Sequence, residues 1–394
     1  MIGEGAARSG LEAACGVDGD PPTTRRVLGW WGLFPPGDRP GVAWLAGPGG
    51  ESPLGLHPSS EGHDVQGELF ATQGEPPGGG LGVGRAVSGP VAGSPAFPSG
   101  VRVGTSSWSF PGWEGLVYDG VYSPGVLAVE GLAAYSSHGL FRTVGLDRGY
   151  YRPVPRETLA GMADQVPPDF RFVLKAPVQV TGPVLRGGAR GSNPDFLDPR
   201  VAGTLAVAPF MEGLGDRGGV LLFQFPPMGI RSPQRGEAFL ERLGSFLRKL
   251  PQGGTYAVEL RDPVLWGEGF RRVLAEAGAV PGFAVHPAAP PLARQFRIIP
   301  PEELPVTMVR WLLPPDSDYE EAREAFAPFR SLQEPDPAHR ALLAELAGAG
   351  AQAGRPTFII VNNKAEGSAP LSVVALSHAM TNGGRGGTAG GDPR

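Results

Sequence analysis

Eight short apolar runs, separated by helix-length amphipathic patterns, divide the chain from residue 101 onward. The runs are Val101–Gly104, Thr143–Leu146, Phe170–Lys175, Val220–Gln224, Thr255–Glu259, Gly282–Val285, Thr307–Arg310 and Phe358–Val361. They are too short for buried helices and carry the near-continuous hydrophobicity of strands covered on both faces. The intervening helix patterns are Val126–His138, Arg156–Gln165, Arg200–Glu212, Gln234–Leu250, Gly269–Gly278, Tyr319–Leu332, Ala338–Ala349 and Leu371–Met380. The clearest stripe is Phe239, Leu240, Leu243, Phe246, Leu247 and Leu250, with Glu237, Glu241, Arg242 and Lys249 left for solvent. Strand and helix alternating in this way predict an α/β protein with a single eight-stranded parallel (β/α)8 TIM-like barrel, which typically needs about 250 residues. An open doubly wound sheet is the competing architecture, but no Gly-x-Gly-x-x-Gly turn follows the first run.

The domain reading follows from texture. Residues 1–100 contain 24 Gly and 13 Pro, and their apolar residues form isolated islands without sustained period. This composition predicts a disordered extension, with a docking segment using Trp30, Trp31 and Trp44 as a functional alternative. The barrel is expected over 101–382 and a second disordered tail over 383–394. The extension carries 10 acidic and 5 basic residues, which accounts for the whole net charge of −5. A charge-balanced main body without a basic run argues against a nucleic-acid surface. The single cysteine, Cys15, rules out an intramolecular disulfide and suits a reducing compartment. No apolar run approaches the roughly 18 residues of a membrane span, and the N-terminus has no signal-peptide pattern, so a cytoplasmic location is expected.

In a barrel of this kind the chemistry belongs to the carboxyl end of each strand and the loop after it. All eight runs end in polar or ionisable groups: Thr105, Ser106 and Trp108, then Asp147, Lys175, Gln224, Glu259 with Arg261, His286, Arg310, and Asn362, Asn363 and Lys364. The stretch Tyr256–Pro263 is the most pointed of these. Glu259 and Arg261 share one face of the chain there, opposite Val258 and Leu260. Two readings stay open, a structural ion pair that closes the strand or part of a site. They separate on Glu259→Gln: a base loses turnover with its thermal midpoint almost unchanged, whereas a structural pair loses stability. Read as a site, Lys175, Arg261 and Arg310 suit an anionic small molecule, with Glu259 or Asp147 as general base and Gln224, His286, Asn363, Lys364 and Trp108 as further binding groups. His286 is the group able to change charge near neutral pH. No cofactor motif is present, and no ligand spacing supports a metal, although Asp147, Glu259 and His286 are of metal-binding type. A non-catalytic binding barrel and a metal-dependent enzyme acting on nucleic acids or sugar phosphates are the alternatives.

Several stretches taken together resemble the YecE-like proteins, the family also called domain of unknown function 72. They are Val103-Gly104-Thr105-Ser106-Ser107-Trp108-Ser109 with Trp113, Phe141-Arg142-Thr143-Val144 with Tyr150-Tyr151-Arg152, and Pro167 through Pro177. They continue with Val220 through Pro227, Ala257 through Pro263, and Val361 through Pro370. The likeness spans about residues 101–382 and implies an eight-stranded α/β barrel, similar in architecture to sugar isomerases and barrel-type metal-dependent nucleases. It implies no reaction. Lys175, Gln224, Glu259, Arg261, Arg310 and Asn363 match the family pattern. The chain departs from it at Gly145 and Asp147, where the pattern has Glu and Asn, and at Gly182, where it has His. Further departures are Trp311-Leu312-Leu313 after Arg310 and Lys364 in place of an Asp. Each departure removes an acid–base or metal-ligating group, which weakens the metalloenzyme analogy.

Overall fold

A computed structural model describes residues 82–184 and 192–383. Its eight strands are β1 Val101–Thr105, β2 Thr143–Leu146, β3 Arg171–Lys175, β4 Gly218–Gln224, β5 Tyr256–Glu259, β6 Val280–Val285, β7 Thr307–Trp311 and β8 Thr357–Val361. Each pairs in parallel with its sequence neighbours, and β8 returns to β1 with Val101 opposite Thr357, so the sheet closes in the order β1 to β8. All eight runs singled out in the sequence are strands of this barrel, and closure removes the edges that an open sheet would leave.

Strand alternation splits the buried residues into two clusters. Val173, Val220, Leu222, Ala257, Val280, Met308, Phe358 and Ile360 fill the lumen. The opposite faces, including Val103, Leu146, Phe172, Phe223, Val258, Phe283, Trp311 and Ile359, pack outward into a larger cluster shared with the helices. Three of the long helices begin where a capping oxygen precedes a proline: Ser123 before Pro124–Ser136, Ser232 before Pro233–Arg248 and Asp336 before Pro337–Gln352. Each cap accepts a first-turn backbone N–H.

Three expectations change. Residues 82–100 are not loose: Val91 and Phe97 are buried in the outer cluster and Ala86 N–H donates to Val117 O at 2.9 Å. A Gly- and Pro-rich segment can still pack when a few apolar side chains find a groove in a neighbouring element. The rest of the extension, with Cys15 and the three tryptophans, and the tail beyond 383 lie outside the described residues. The helix expected over Arg200–Glu212 is regular only at Pro199–Ala202 and then runs as π-turns, Gly203–Val207 and Pro209–Gly213. Pro209 has no N–H to give, so the ladder shifts there. The helix expected to reach Leu332 stops at Phe326, just short of Pro328.

Candidate functional site at the barrel mouth

Period-two alternation carries lumen-facing positions up to the mouth. Two residues beyond Gly145, Val173, Leu222, Ala257, Ala284 and Met308 come Asp147, Lys175, Gln224, Glu259, His286 and Arg310. The apolar lumen therefore ends in a polar layer, and Arg261 adds to it two residues past Glu259. The register places Gln224 opposite Glu259 and Arg310 opposite both Ala284 and Ile360.

Arg310 is the hub. Its Nη1 lies 3.3 and 3.2 Å from the two Glu259 carboxylate oxygens, and its Nη2 lies 3.0 and 2.8 Å from those of Asp147. Arg261 also donates to Glu259 through Nη2. Glu259 is fully buried, and the side chains of Arg261 and Arg310 are 2% and 4% exposed, whereas Asp147 keeps 33% exposure. Burial opposes the charge on Arg310, but Asp147 and Glu259 outweigh it and raise its pKa. Arg261 has less compensation; burial lowers it to about 10.

Lys175 lies among the same groups yet forms no ion pair among the described residues. Its Nζ rests 4.1 Å from the centroid of the Tyr150 ring, a cation–π contact. Burial lowers its pKa to about 8, with Asp147 and Glu259 pulling upward and Arg310 and Arg261 downward. Lys364 is similar: its Nζ lies 4.1 Å from the Tyr319 ring centroid, and burial brings it to about 8. For both lysines, the folded value lies below the ordinary one. Between about pH 8 and 10 the unfolded chain therefore holds protons that the folded chain has released, and stability rises with pH. Urea midpoints are expected to be higher at pH 9.5 than at pH 7.5; a fall over that window would contradict the two buried amines.

His286 corrects an expectation. Burial first, then Arg261, Arg310 and Lys175, depress its pKa far below the ordinary histidine value, so it is neutral rather than a switch near pH 7. Its Nδ1 accepts from Ala288 N–H at 3.1 Å, which leaves the proton on Nε2. Trp108 and Asn363 stand apart from the ion network. Trp108 is buried and its indole N–H donates to Leu127 O at 2.9 Å. Asn363 Oδ1 accepts from Trp113 Nε1 and Ala369 N–H, so it staples the loop after β8 to the next helix. Asp262, which closes the Tyr256–Pro263 stretch, accepts from the backbone N–H groups of Met228 and Ile230 at 2.8 and 2.9 Å.

Two glycines singled out in the sequence, Gly182 and Gly145, differ in the room they leave for a side chain. A Cβ at Gly182 would meet Val178 Cγ2 and Val178 O, each at 2.8 Å, and one at Gly145 would press on Ser106 Cα at 3.3 Å and Ile360 Cγ2 at 3.4 Å. Gly182 is thus closed to a side chain, whereas at Gly145 a Cβ is only tight and a neighbour would have to give by a few tenths of an ångström. Among the described residues no group of three His, Cys, Asp or Glu side chains is placed to hold a metal ion; the guanidinium of Arg310 occupies the space between Asp147 and Glu259. No helix among the described residues is long and apolar enough to cross a membrane. The tyrosines under the two lysines were not singled out from sequence as site residues. Tyr150 carried a signal, since the 3₁₀ turn Asp147–Tyr150 puts residues three apart on one side. Tyr319 begins a separate helix, Tyr319–Phe326, and had none.

A closed (β/α)8 barrel with a buried, cation-rich polar layer at the carboxyl ends of its strands is thus the class that fold and site define. The family described as "Protein of unknown function DUF72" matches residues 102–390, and the chain belongs to that family, in agreement with the YecE-like motifs. A DUF72 family protein from Thermotoga maritima MSB8, solved at 2.20 Å, is 21% identical with a TM-score of 0.51, the match covering 71% of this chain and 99% of that one. One from Enterococcus faecalis V583, solved at 3.10 Å, is 19% identical with a TM-score of 0.51 over 71% and 95%. At these identities the likeness concerns the fold. No curated protein matches.

Proposed function

We propose that the barrel mouth binds a small molecule through an anionic group such as phosphate or carboxylate. The observation that carries this reading is a set of buried donors without an acceptor: Gln224 Nε2, Arg261 Nε and Arg261 Nη1. An unsatisfied buried donor costs about 1–3 kcal/mol, and these belong to groups at the carboxyl ends of β4 and β5, where barrel ligands enter. The charge count points the same way. Lys175, Arg261 and Arg310 face Asp147 and Glu259, so the layer carries one surplus positive charge when Lys175 is protonated, and His286 adds none. Both Glu259 oxygens are engaged by guanidinium groups, which makes Glu259 the anchor of the two arginines. Asp147 is also held by Arg310 through both oxygens, but at one-third exposure it is the carboxylate an incoming molecule can reach. A barrel that binds without turnover draws support from the same engagement of Glu259.

The test is thermal denaturation of the full chain with inorganic phosphate and with small carboxylates. At 100 times the dissociation constant, a ligand adds about 2.7 kcal/mol to stability, so a clear rise in midpoint is expected. Arg261→Lys keeps the charge but loses the guanidinium donors and is expected to bind at least about tenfold more weakly, a difference of about 1.4 kcal/mol. No shift with any anion, or equal binding by Arg261→Lys, would count against the reading.

A further inference from the structure

We propose that Lys175 is a covalent nucleophile that forms an imine with the carbonyl carbon of a small anionic aldehyde or ketone held in the mouth. This rests on the anion-binding reading above and names the substrate class for the same site.

The first observation is how the chain spends its positive charge. Of 34 basic residues only three are lysine: Lys175, Lys249 and Lys364. Lys249 is exposed at the end of Pro233–Arg248, and the other two sit at the ends of β3 and β8 with their amines on tyrosine rings. For holding a carboxylate or phosphate, arginine is the better residue, and the mouth already has two. What arginine cannot do at working pH is lose its proton and present a lone pair.

The second observation is what surrounds Lys175. Both nearby acids, Asp147 and Glu259, are bound by Arg310, and no carboxylate is within ion-pair distance of Nζ among the described residues. An ion pair or hydrogen bond to an acid would hold the ammonium protonated; the face of Tyr150 holds it only weakly, and Arg310 and Arg261 offset part of the support from Asp147 and Glu259. Its pKa of about 8 reflects burial, which outweighs the net upward pull of Asp147 and Glu259 against Arg310 and Arg261, so a substantial fraction is free amine near neutral pH. Lys175 is half-buried, whereas Lys364 is buried at 5% exposure.

The chemistry closes within the site. The Nζ lone pair attacks the carbonyl carbon, a C–N bond forms, and the C=O π pair moves to oxygen, giving a carbinolamine. The two amine protons then leave with that oxygen as water, and C=N remains. Nothing is oxidised or reduced. Asp147, which stands beside β3 and reaches solvent, is placed to relay a proton, while Gln224 and Arg261 hold the substrate's anionic group.

The experiment is reductive trapping on the full chain: glyoxylate as an anionic aldehyde, acetaldehyde as a neutral one, sodium cyanoborohydride to reduce the imine, and peptide mapping of the product. Glyoxylate is expected to label Lys175 at least about tenfold faster than exposed Lys249 at pH 7.5, because lowering an amine from 10.5 to about 8 enlarges its neutral fraction by more than that. The rate should climb through about pH 8, with Asp147, Glu259, Arg261, His286, Arg310 and Tyr150 the groups around the amine. Inorganic phosphate should slow labelling. Lys175→Arg should lose the adduct while circular dichroism stays unchanged. If acetaldehyde labels Lys175 as fast as glyoxylate does and phosphate gives no protection, the imine stands and the anion reading falls. If Lys175 is labelled no faster than Lys249 at any pH, the proposal is overturned, and the phosphate-induced thermal shift then judges the anion reading separately.

Discussion

Glu259→Gln is expected to destabilise the fold by about 3–5 kcal/mol, the cost typical of removing one partner from a buried charge network. The change leaves the size of the side chain nearly intact, so neither a cavity nor overpacking contributes. What disappears is the negative charge that two guanidinium groups share, at 2% and 4% side-chain exposure, and neither can turn to water. Asp147 would still hold one side of Arg310, but Arg261 would keep no anionic partner in ion-pair contact, and two of its nitrogens already have no acceptor. A surface pair of the same chemistry would be worth only about 0–1 kcal/mol, so the measurement discriminates well. A urea-unfolding difference below about 1 kcal/mol would mean that the mouth is wetter, and its charges freer, than the buried geometry implies.

Glu366→Gln is expected to be nearly as damaging, about 3 kcal/mol, for a reason unrelated to any ligand. Glu366 is fully buried outside the ion network of the mouth. Its carboxylate accepts from Asp336 N–H at 2.6 Å and from Arg340 Nε at 3.2 Å, and its backbone oxygen accepts from Gln333 and Glu334. It ties the segment before Pro337–Gln352 to the loop after β8. The value sits at the low end because the Arg340 side chain, 17% exposed, can recover some hydration. Phosphate should raise the midpoint of this variant as much as that of the parent chain. Equal loss of ligand stabilisation would show that the loop after β8 and the mouth act as one unit.

Much of the fold was legible because closure of a parallel barrel demands short, doubly covered strands, and such strands announce themselves as apolar runs. The mouth was legible for a related reason. A polar residue ending an otherwise apolar run, as at Lys175, Gln224, Glu259 and Arg310, keeps the lumen face of its strand, so its direction follows from alternation. Partner choice was not legible. The contact of Arg310 with Asp147 spans 163 residues, and nothing local in either segment names the other. The neutral state of His286 likewise depends on its burial and on three cations, Lys175 of β3, Arg310 of β7 and Arg261 two residues past β5. Trp108 read as a mouth residue because it follows β1, but an indole that can be buried with its N–H satisfied gains more by packing on a helix. The ordering of residues 82–100 was hidden by composition, since Val91 and Phe97 are too few to make a period.

The central claim is that buried donors at the ends of β4 and β5 await an anion, and a crystal structure grown with saturating inorganic phosphate tests it most directly. The account expects one anion in the mouth, accepting hydrogen bonds from Gln224 Nε2 and from Arg261 through Nε or Nη1. Gln224 and Arg261 bonded only to water or protein at saturating phosphate, with the mouth free of any anion, would contradict it.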